Sequence, residues 1–171
     1  FTAAIVIFAA DFAFGFTLEW SVVPLLAIGF FYLAMIAIIG FHRVPILLLV
    51  VETGVVAGFL LLLDVVLPEA TWFLSIALPV TLLLALVSGV AAAAIARLKL
   101  RPLQAIAVAF LASGFFVVGL EFILNLALFD ELLVSWSLIA FACTLSVFFL
   151  ILFINRRLRE RHAEYRKVFH L

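Results

Sequence analysis

Apolar residues run along this chain in long blocks and not in stripes. Val44 to Leu63 and Leu103 to Leu120 carry few or no charges over roughly the 20 residues needed to cross a bilayer core. The 3.6-residue alternation of a soluble amphipathic helix is weak, as it is in helices that are apolar all round. Polar punctuation at Thr17–Glu19, His42–Pro45, Pro68–Ala70, Arg97–Pro102 and Asp130–Glu131 divides the blocks. The pattern predicts an all-α fold, a polytopic membrane bundle of six helices over 1–17, 20–41, 45–67, 71–96, 102–128 and 133–154. Pro45 and Pro102 suit a first helical turn, where a missing N–H is no loss. The expected organisation is three tandem hairpins, 1–43, 44–97 and 98–155, forming a transmembrane domain 1–155, followed by a basic cytoplasmic tail 156–171.

Composition agrees with this division. Seventy per cent of residues are apolar and 12% are charged, against about half and about a quarter in soluble domains. The net charge is zero, but its distribution gives an orientation. Arg43, Arg97, Lys99, Arg101, Arg156 and Arg157 fall in alternate loops and the tail, all on one side of a six-helix arrangement. The other loops carry Glu19, Glu69, Asp130 and Glu131 and no base. Lys and Arg mark the cytoplasmic face, so both termini are expected inside. Trp20, Trp72 and Trp136 then fall at the outer interface, where indole rings settle.

The hairpins resemble one another. Each ascending helix carries an acid near its outer end (Asp11, Asp64, Glu121), each descending helix opens near a Trp, and each hairpin closes on a base. Pro45 precedes Asp64 by nineteen positions, as Pro102 precedes Glu121. Seven residues before each acid stands a small residue, Ala4, Ala57 or Gly114, on the same helix face. Interfacial Trp and inner Arg occur in many membrane hairpins. The acids are costly in lipid, and with them the pattern reads as a tandem repeat. Extending it backward puts the start of the first hairpin before Phe1, so the chain is expected to be part of a longer protein.

Leu18-Glu19-Trp20-Ser21, Trp72-Phe73-Leu74-Ser75-Ile76-Ala77-Leu78-Pro79 and Ser135-Trp136-Ser137-Leu138-Ile139 carry a family likeness, as does the ending Asn155-Arg156-Arg157-Leu158-Arg159-Glu160-Arg161 with Phe169-His170-Leu171. In these stretches the chain resembles uncharacterised bacterial membrane proteins in which a short cytoplasmic zinc ribbon precedes tandem transmembrane hairpins. The resemblance covers nearly the whole chain and implies a fold, a bacterial inner membrane and a cytoplasmic domain upstream of Phe1. The zinc-ribbon cysteines are absent here, so no metal role transfers.

Few residues could carry chemistry. Glu52 lies about two turns into its helix from the inner side, and an ionised carboxylate at that depth needs a partner, a watery cavity or a proton. The expected partner is Arg43, Arg97 or His42, and the functional alternative is a site for a proton or cation. Glu121 and Asn125, four apart, share a face with Gly114. They could form a polar site or an interhelical hydrogen bond, worth about 0.6 kcal/mol in membranes, and the second is favoured. Asp11 and Asp64 are near enough to the outer loops to reach interfacial water. Gly54 and Gly58 form a GxxxG that permits close packing. Pro79 is the best candidate for a helix break.

Catalysis is not expected. No intramembrane His pair, HExxH or phosphate loop occurs, and Cys143 stands alone. No metal, cofactor or nucleic-acid partner is expected, while the bilayer is. In the tail, Leu158, His162, Tyr165 and Phe169 form a stripe at helical spacing among bases. The last helix could run on and anchor at anionic headgroups, or dock a cytoplasmic partner, and an oligomer is possible. The leading reading is a non-enzymatic anchor, scaffold or sensory module. The alternative is a small transporter or channel using Glu52 and Glu121/Asn125.

Overall fold

The computed structural model describes residues 22–67, 72–130 and 135–168, with side chains as far as Leu158. Five α-helices follow in order: α1, Val22–Phe41; α2, Pro45–Val66; α3, Leu78–Arg97; α4, Pro102–Phe129; and α5, Trp136–Val168. A π-helical turn, Phe73–Ala77, leads directly into α3. There is no strand among the described residues. Five segments are long and apolar enough to cross a membrane: Val22–Phe41, Pro45–Val66, Phe73–Arg97, Pro102–Phe129 and Trp136–Leu158. The sequence predicts six. The first, 1–17, with Ala4 and Asp11, lies outside the described residues, as does Trp20 at the start of the second.

Burial is inverted relative to a water-soluble core. The buried positions are mostly small or polar: Ala37, Ala77, Ala107, Gly114, Thr81, Ser137 and Asn155. The most exposed include Ile46 at 77% and Leu74 at 75%. Small residues let helix backbones approach, while large apolar ones gain nothing by leaving a solvent as apolar as themselves. The helices are built to be solvated by lipid.

The chain divides into two compact units, Phe1–Ala85 and Leu86–Leu171, with the boundary inside α3. In the first unit, α1 and α2 are joined by a tight turn in which the Val44 amide donates to the Phe41 carbonyl at 2.9 Å. Pro45 starts α2, as its missing N–H predicts. Phe30 and Phe59 stack with ring centroids 4.7 Å apart. This antiparallel register, followed two turns inward on each helix, brings buried Ala37 level with Glu52.

The π turn has a local cause. The Trp72 carbonyl accepts from the amides of both Ile76 (2.9 Å) and Ala77 (3.2 Å). Just beyond stands Pro79, which has no amide to donate and whose ring crowds the carbonyl of Ser75 four residues back. A wider turn relieves that crowding. The break expected from Pro79 therefore lies at the opening of the descending segment, not in mid-span.

In the second unit, α3 ends with Lys99 in a left-handed conformation, φ 46°, and the Leu100 amide donates to the Ile95 carbonyl at 3.2 Å. This is a Schellman-type stop, usually made by Gly. Helices α4 and α5 then pack along matching seams of period 3.5. On α4 the seam runs through Gln104, Ala107, Leu111, Gly114, Val118, Glu121 and Asn125, none of which is exposed. On α5 it runs through Ser137, Phe141, Thr144, Phe148, Ile151 and Asn155, also unexposed. Such a period holds one seam against a partner helix over several turns.

The predicted end of the last helix at 154 is overturned: α5 continues to Val168. The tail holds Arg, Glu, Ala and Lys, good helix formers, and no Gly or Pro to stop it. Helix α5 thus takes in residues 156–168 of the stretch expected as a tail, as the run-on alternative has it.

Gly114 is the closest point of the α4–α5 seam. A Cβ there would collide with Thr144 Oγ1 and lie 2.9 Å from Phe141 Cδ2. At Gly54 and Gly58, by contrast, it would meet nothing within 4 Å. Close approach expected at the GxxxG of α2 is therefore found at Gly114 instead. Gly114→Leu is predicted to destabilise the protein by about 1–3 kcal/mol or more. Gly54→Ala, adding a methyl into open space within a helix, should leave thermal unfolding in detergent unchanged or slightly raised.

Candidate functional site

An α-helix leaves its first amides without intrahelical acceptors. In water these groups are solvated; in an apolar layer each orphan costs several kcal/mol. The two descending segments whose starts are described begin next to the groups that remove this penalty, carboxylates carried by the preceding helix. Asp64 Oδ1, on the last turn of α2, accepts from the amides of Trp72 (3.0 Å) and Phe73 (3.2 Å). Glu121, two turns from the end of α4, does the same for α5. Its Oε1 accepts from the Ser135 amide at 2.9 Å, the Ser135 hydroxyl at 3.3 Å and the Trp136 amide at 3.4 Å. Its Oε2 accepts from the Ser137 amide at 2.9 Å.

Glu121 is 1% exposed, yet its charge is well placed. A helix N-terminus carries a positive partial charge and amides that point outward. The carboxylate loses its water but gains three backbone donors, and the helix gains its missing acceptors. The pairing is between parts far apart in sequence, since Glu121 reaches across to residues 135–137. Asn125, one turn along α4, is also engaged and not free. The reading of Asp64 as an acid reaching for interfacial water is corrected: it holds the start of the next transmembrane segment.

Glu52 behaves differently. Its Oε1 is buried and has no hydrogen-bond partner. The expected ion pair is not formed: among the described residues no base reaches Glu52. His42 instead makes a 3.0 Å contact from Nδ1 to the Ile39 carbonyl. Arg43 is exposed in the α1–α2 turn and Arg97 at the end of α3. The nearest transmembrane helix packed on this face, α1, contains no acid or base at all. Among the described residues Glu52 therefore stands without a hydrogen-bond partner on an apolar helix.

Most of the remaining candidates lie at or near helix ends, while Arg156, Arg157 and Cys143 lie within α5. Arg43, Arg97, Lys99, Arg101, Arg156 and Arg157 are all exposed, and the Arg101 amide at the start of α4 donates to Gln104 Oε1 at 3.1 Å. Trp72 is half-buried and Trp136 exposed, each at the start of a descending segment. Cys143 is exposed on α5. Among the described residues no three His, Cys, Asp or Glu side chains come together as a metal site needs. Between α1 and α2 runs an apolar groove of about 820 Å³, walled by residues such as Gly29, Phe30, Leu33, Val55, Gly58 and Phe59. Glu52 is not in its wall.

Sequence reasoning picked out the acids and the tryptophans but not the bond between them, and it passed over Ser135 and Ser137 as donors. The available signal was the Ser-Trp-Ser triplet following an acid by about a loop's length. Residues 1–171 match the model of a family of unknown function, DUF6320. No curated protein and no solved structure matches the chain.

Removing either carboxylate orphans the amides it serves. Glu121→Ala is predicted to cost more than Asp64→Ala, because three backbone donors lose their acceptor instead of two. Each loss should amount to about 1–3 kcal/mol per unsatisfied group at most. Glu121→Gln keeps one carbonyl acceptor and should fall between Glu121→Ala and wild type. Thermal unfolding of the three variants in one detergent checks the order.

Proposed function

The chain belongs to DUF6320, a family of unknown function, and from its own residues we propose that it is a non-enzymatic membrane module that anchors or scaffolds a cytoplasmic domain. One observation carries this reading. Asp64 and Glu121, the acids that would otherwise mark a polar pathway, are spent on the backbone amides of the next helix. A carboxylate held by backbone donors is a structural clip, and releasing it to handle a substrate would orphan those donors.

Both clips have the same plan, an acid near the outer end of one helix closing on the Trp that opens the next. That shared plan supports reading the hairpins as a tandem repeat. The distribution of Lys and Arg supports both termini facing the cytoplasm, and the resemblance to zinc-ribbon membrane proteins supports a bacterial inner membrane and an attached cytoplasmic domain. Exposed Arg156 and Arg157, where α5 leaves the apolar layer, suit anionic headgroups.

A second reading, a small transporter or channel, is favoured by Glu52 alone. A buried carboxyl oxygen without a partner is free to take a proton or a cation. The two readings separate in one experiment. In liposomes under proton or alkali-cation gradients, the purified protein is expected to give no flux above protein-free vesicles. Glu52→Gln should melt at or above wild type, gaining on the order of 1 kcal/mol, because a neutral amide is less costly to bury than a lone carboxylate. A flux that disappears in Glu52→Gln would replace the scaffold reading with transport.

Orientation has its own check. After Cys143→Ser removes the native thiol, a cysteine at Glu69 should react with a membrane-impermeant maleimide on intact cells, and one at Lys99 should not. The opposite labelling pattern would invert the proposed topology.

A further inference from the structure

In the second unit the charges are sorted to opposite ends of the α4–α5 pair. The tight turn between α3 and α4 carries Arg97, Lys99 and Arg101, and the Leu100 amide closes it by donating to the Ile95 carbonyl at 3.2 Å. Register brings α5 to the same place. Gly114 meets Thr144, and Glu121 accepts from the Ser137 amide. An equal step along both helices, from Gly114 to Pro102 and from Thr144 to Arg156, sets the opening of α4 level with Arg156 and Arg157. All of these bases are exposed. The carboxylates among the described side chains of this unit, Glu121 and Asp130, lie toward the other end, the nearer one roughly 28 Å along α4 at the helical rise.

Arg156 is already engaged within the chain. Arg97, Lys99, Arg101 and Arg157 form no ion pair among the described residues. Gathered like charges repel one another, and Arg101 stands at the opening of α4, where the helix dipole opposes a cation. An anion among them offsets both costs. The surroundings say what kind of anion. Leu98, between two of the bases, is 69% exposed, and Leu103, Ile154 and Leu158 beside the others are exposed too. A soluble anion gains nothing from these side chains, whereas a lipid meets them with its acyl chains and the bases with its phosphate. The bases also come from two elements. A guanidinium takes a phosphate through two parallel N–H bonds, so a single phosphate is filled by the bases of the turn and leaves Arg157 on α5 unmatched.

We propose that the end of the α4–α5 pair where α4 begins binds a phospholipid whose headgroup bears two phosphates, one held by Arg97, Lys99 and Arg101 of the turn and the other by Arg157 of α5, with acyl chains against Leu98, Leu103 and Ile154. The site deepens the scaffold reading and rests on its membrane placement. It gives that scaffold a chemistry for choosing its lipid surroundings, and it works whichever face of the membrane this end occupies.

The test is thermal unfolding of the full chain in a neutral detergent, since a ligand of the folded state raises Tm by mass action. Diphosphatidylglycerol is compared with phosphatidylglycerol at matched phosphate, with inorganic pyrophosphate and with a soluble Glu-rich peptide. Diphosphatidylglycerol should raise Tm at about a tenth of the concentration that phosphatidylglycerol needs, because its two phosphates are joined. Pyrophosphate and the peptide should not raise it. Arg157→Gln should remove the advantage of the joined phosphates, and Arg157→Lys should keep most of it. The triple variant Arg97→Gln, Lys99→Gln, Arg101→Gln should respond to neither lipid; if it does not fold, Arg157→Gln decides alone, since Arg157 is exposed and its loss breaks no packing. Equal potency of the two lipids on the wild type overturns the proposal, as does an Arg157→Gln variant that keeps the wild-type preference. Pyrophosphate or the peptide matching the lipid's effect overturns it as well, since the ligand would then be a soluble anion. The liposome assay is independent: a Glu52-dependent flux with the lipid preference intact would fault the scaffold reading and leave the lipid site standing, and a lost preference without flux would do the reverse.

Discussion

A backbone amide that has lost water must find another acceptor, and two carboxylates meet that demand in this protein. Trp72 and Phe73 at one segment start, and Ser135, Trp136 and Ser137 at another, would present bare N–H groups to an apolar layer. Asp64 and Glu121 lie across the hairpin from them. Neither partner would be tolerable there alone: the acid would be an unsolvated charge, and the helix start a row of unsatisfied donors. Together they stabilise the closed ends of the two described hairpins.

Other features follow from this closure. With Glu121 pinned to Ser137, the seam of α4 and α5 is set in register from the outer end inward. Gly114 then meets Phe141 and Thr144 so closely that no side chain fits between them. Buried Ala107 continues the same face toward the inner side, and Asn155 ends it. Small and polar residues hold this interface because apolar bulk has no reason to prefer protein over lipid.

Glu52 stands outside this scheme. Its Oε1 is buried, and among the described residues neither a helix N-terminus nor a base receives it. Helix α1, which packs on α2, contains no acid or base to pair with it. The contrast with Asp64 on the same helix shows that burial of an acid does not by itself reveal its role; the groups it faces do.

The order of residues alone determined that the described helices are long and apolar enough to cross a membrane, where most of them begin and end, and in which loops Lys and Arg fall. Apolar runs of sufficient length, prolines at first turns and the sorting of Arg and Lys are one-dimensional signals, because the bilayer imposes a thickness and a sidedness on any helix. Even the recurrence of acid and tryptophan was visible along the chain. What only tertiary structure decided was who meets whom. Asp64 and Glu121 could have faced water, a base or an amide, and the choice depends on how each hairpin folds back. Gly114 and Gly54 look alike as small residues in apolar helices, and only packing separates the close contact from the open face. Glu52 looked equally able to reach Arg43, Arg97 or His42, since side-chain length allows it, yet among the described residues none of them pairs with it. Contacts between residues distant in sequence depend on rotation and register between helices, and an almost uniformly apolar surface leaves little amphipathic pattern from which to read them.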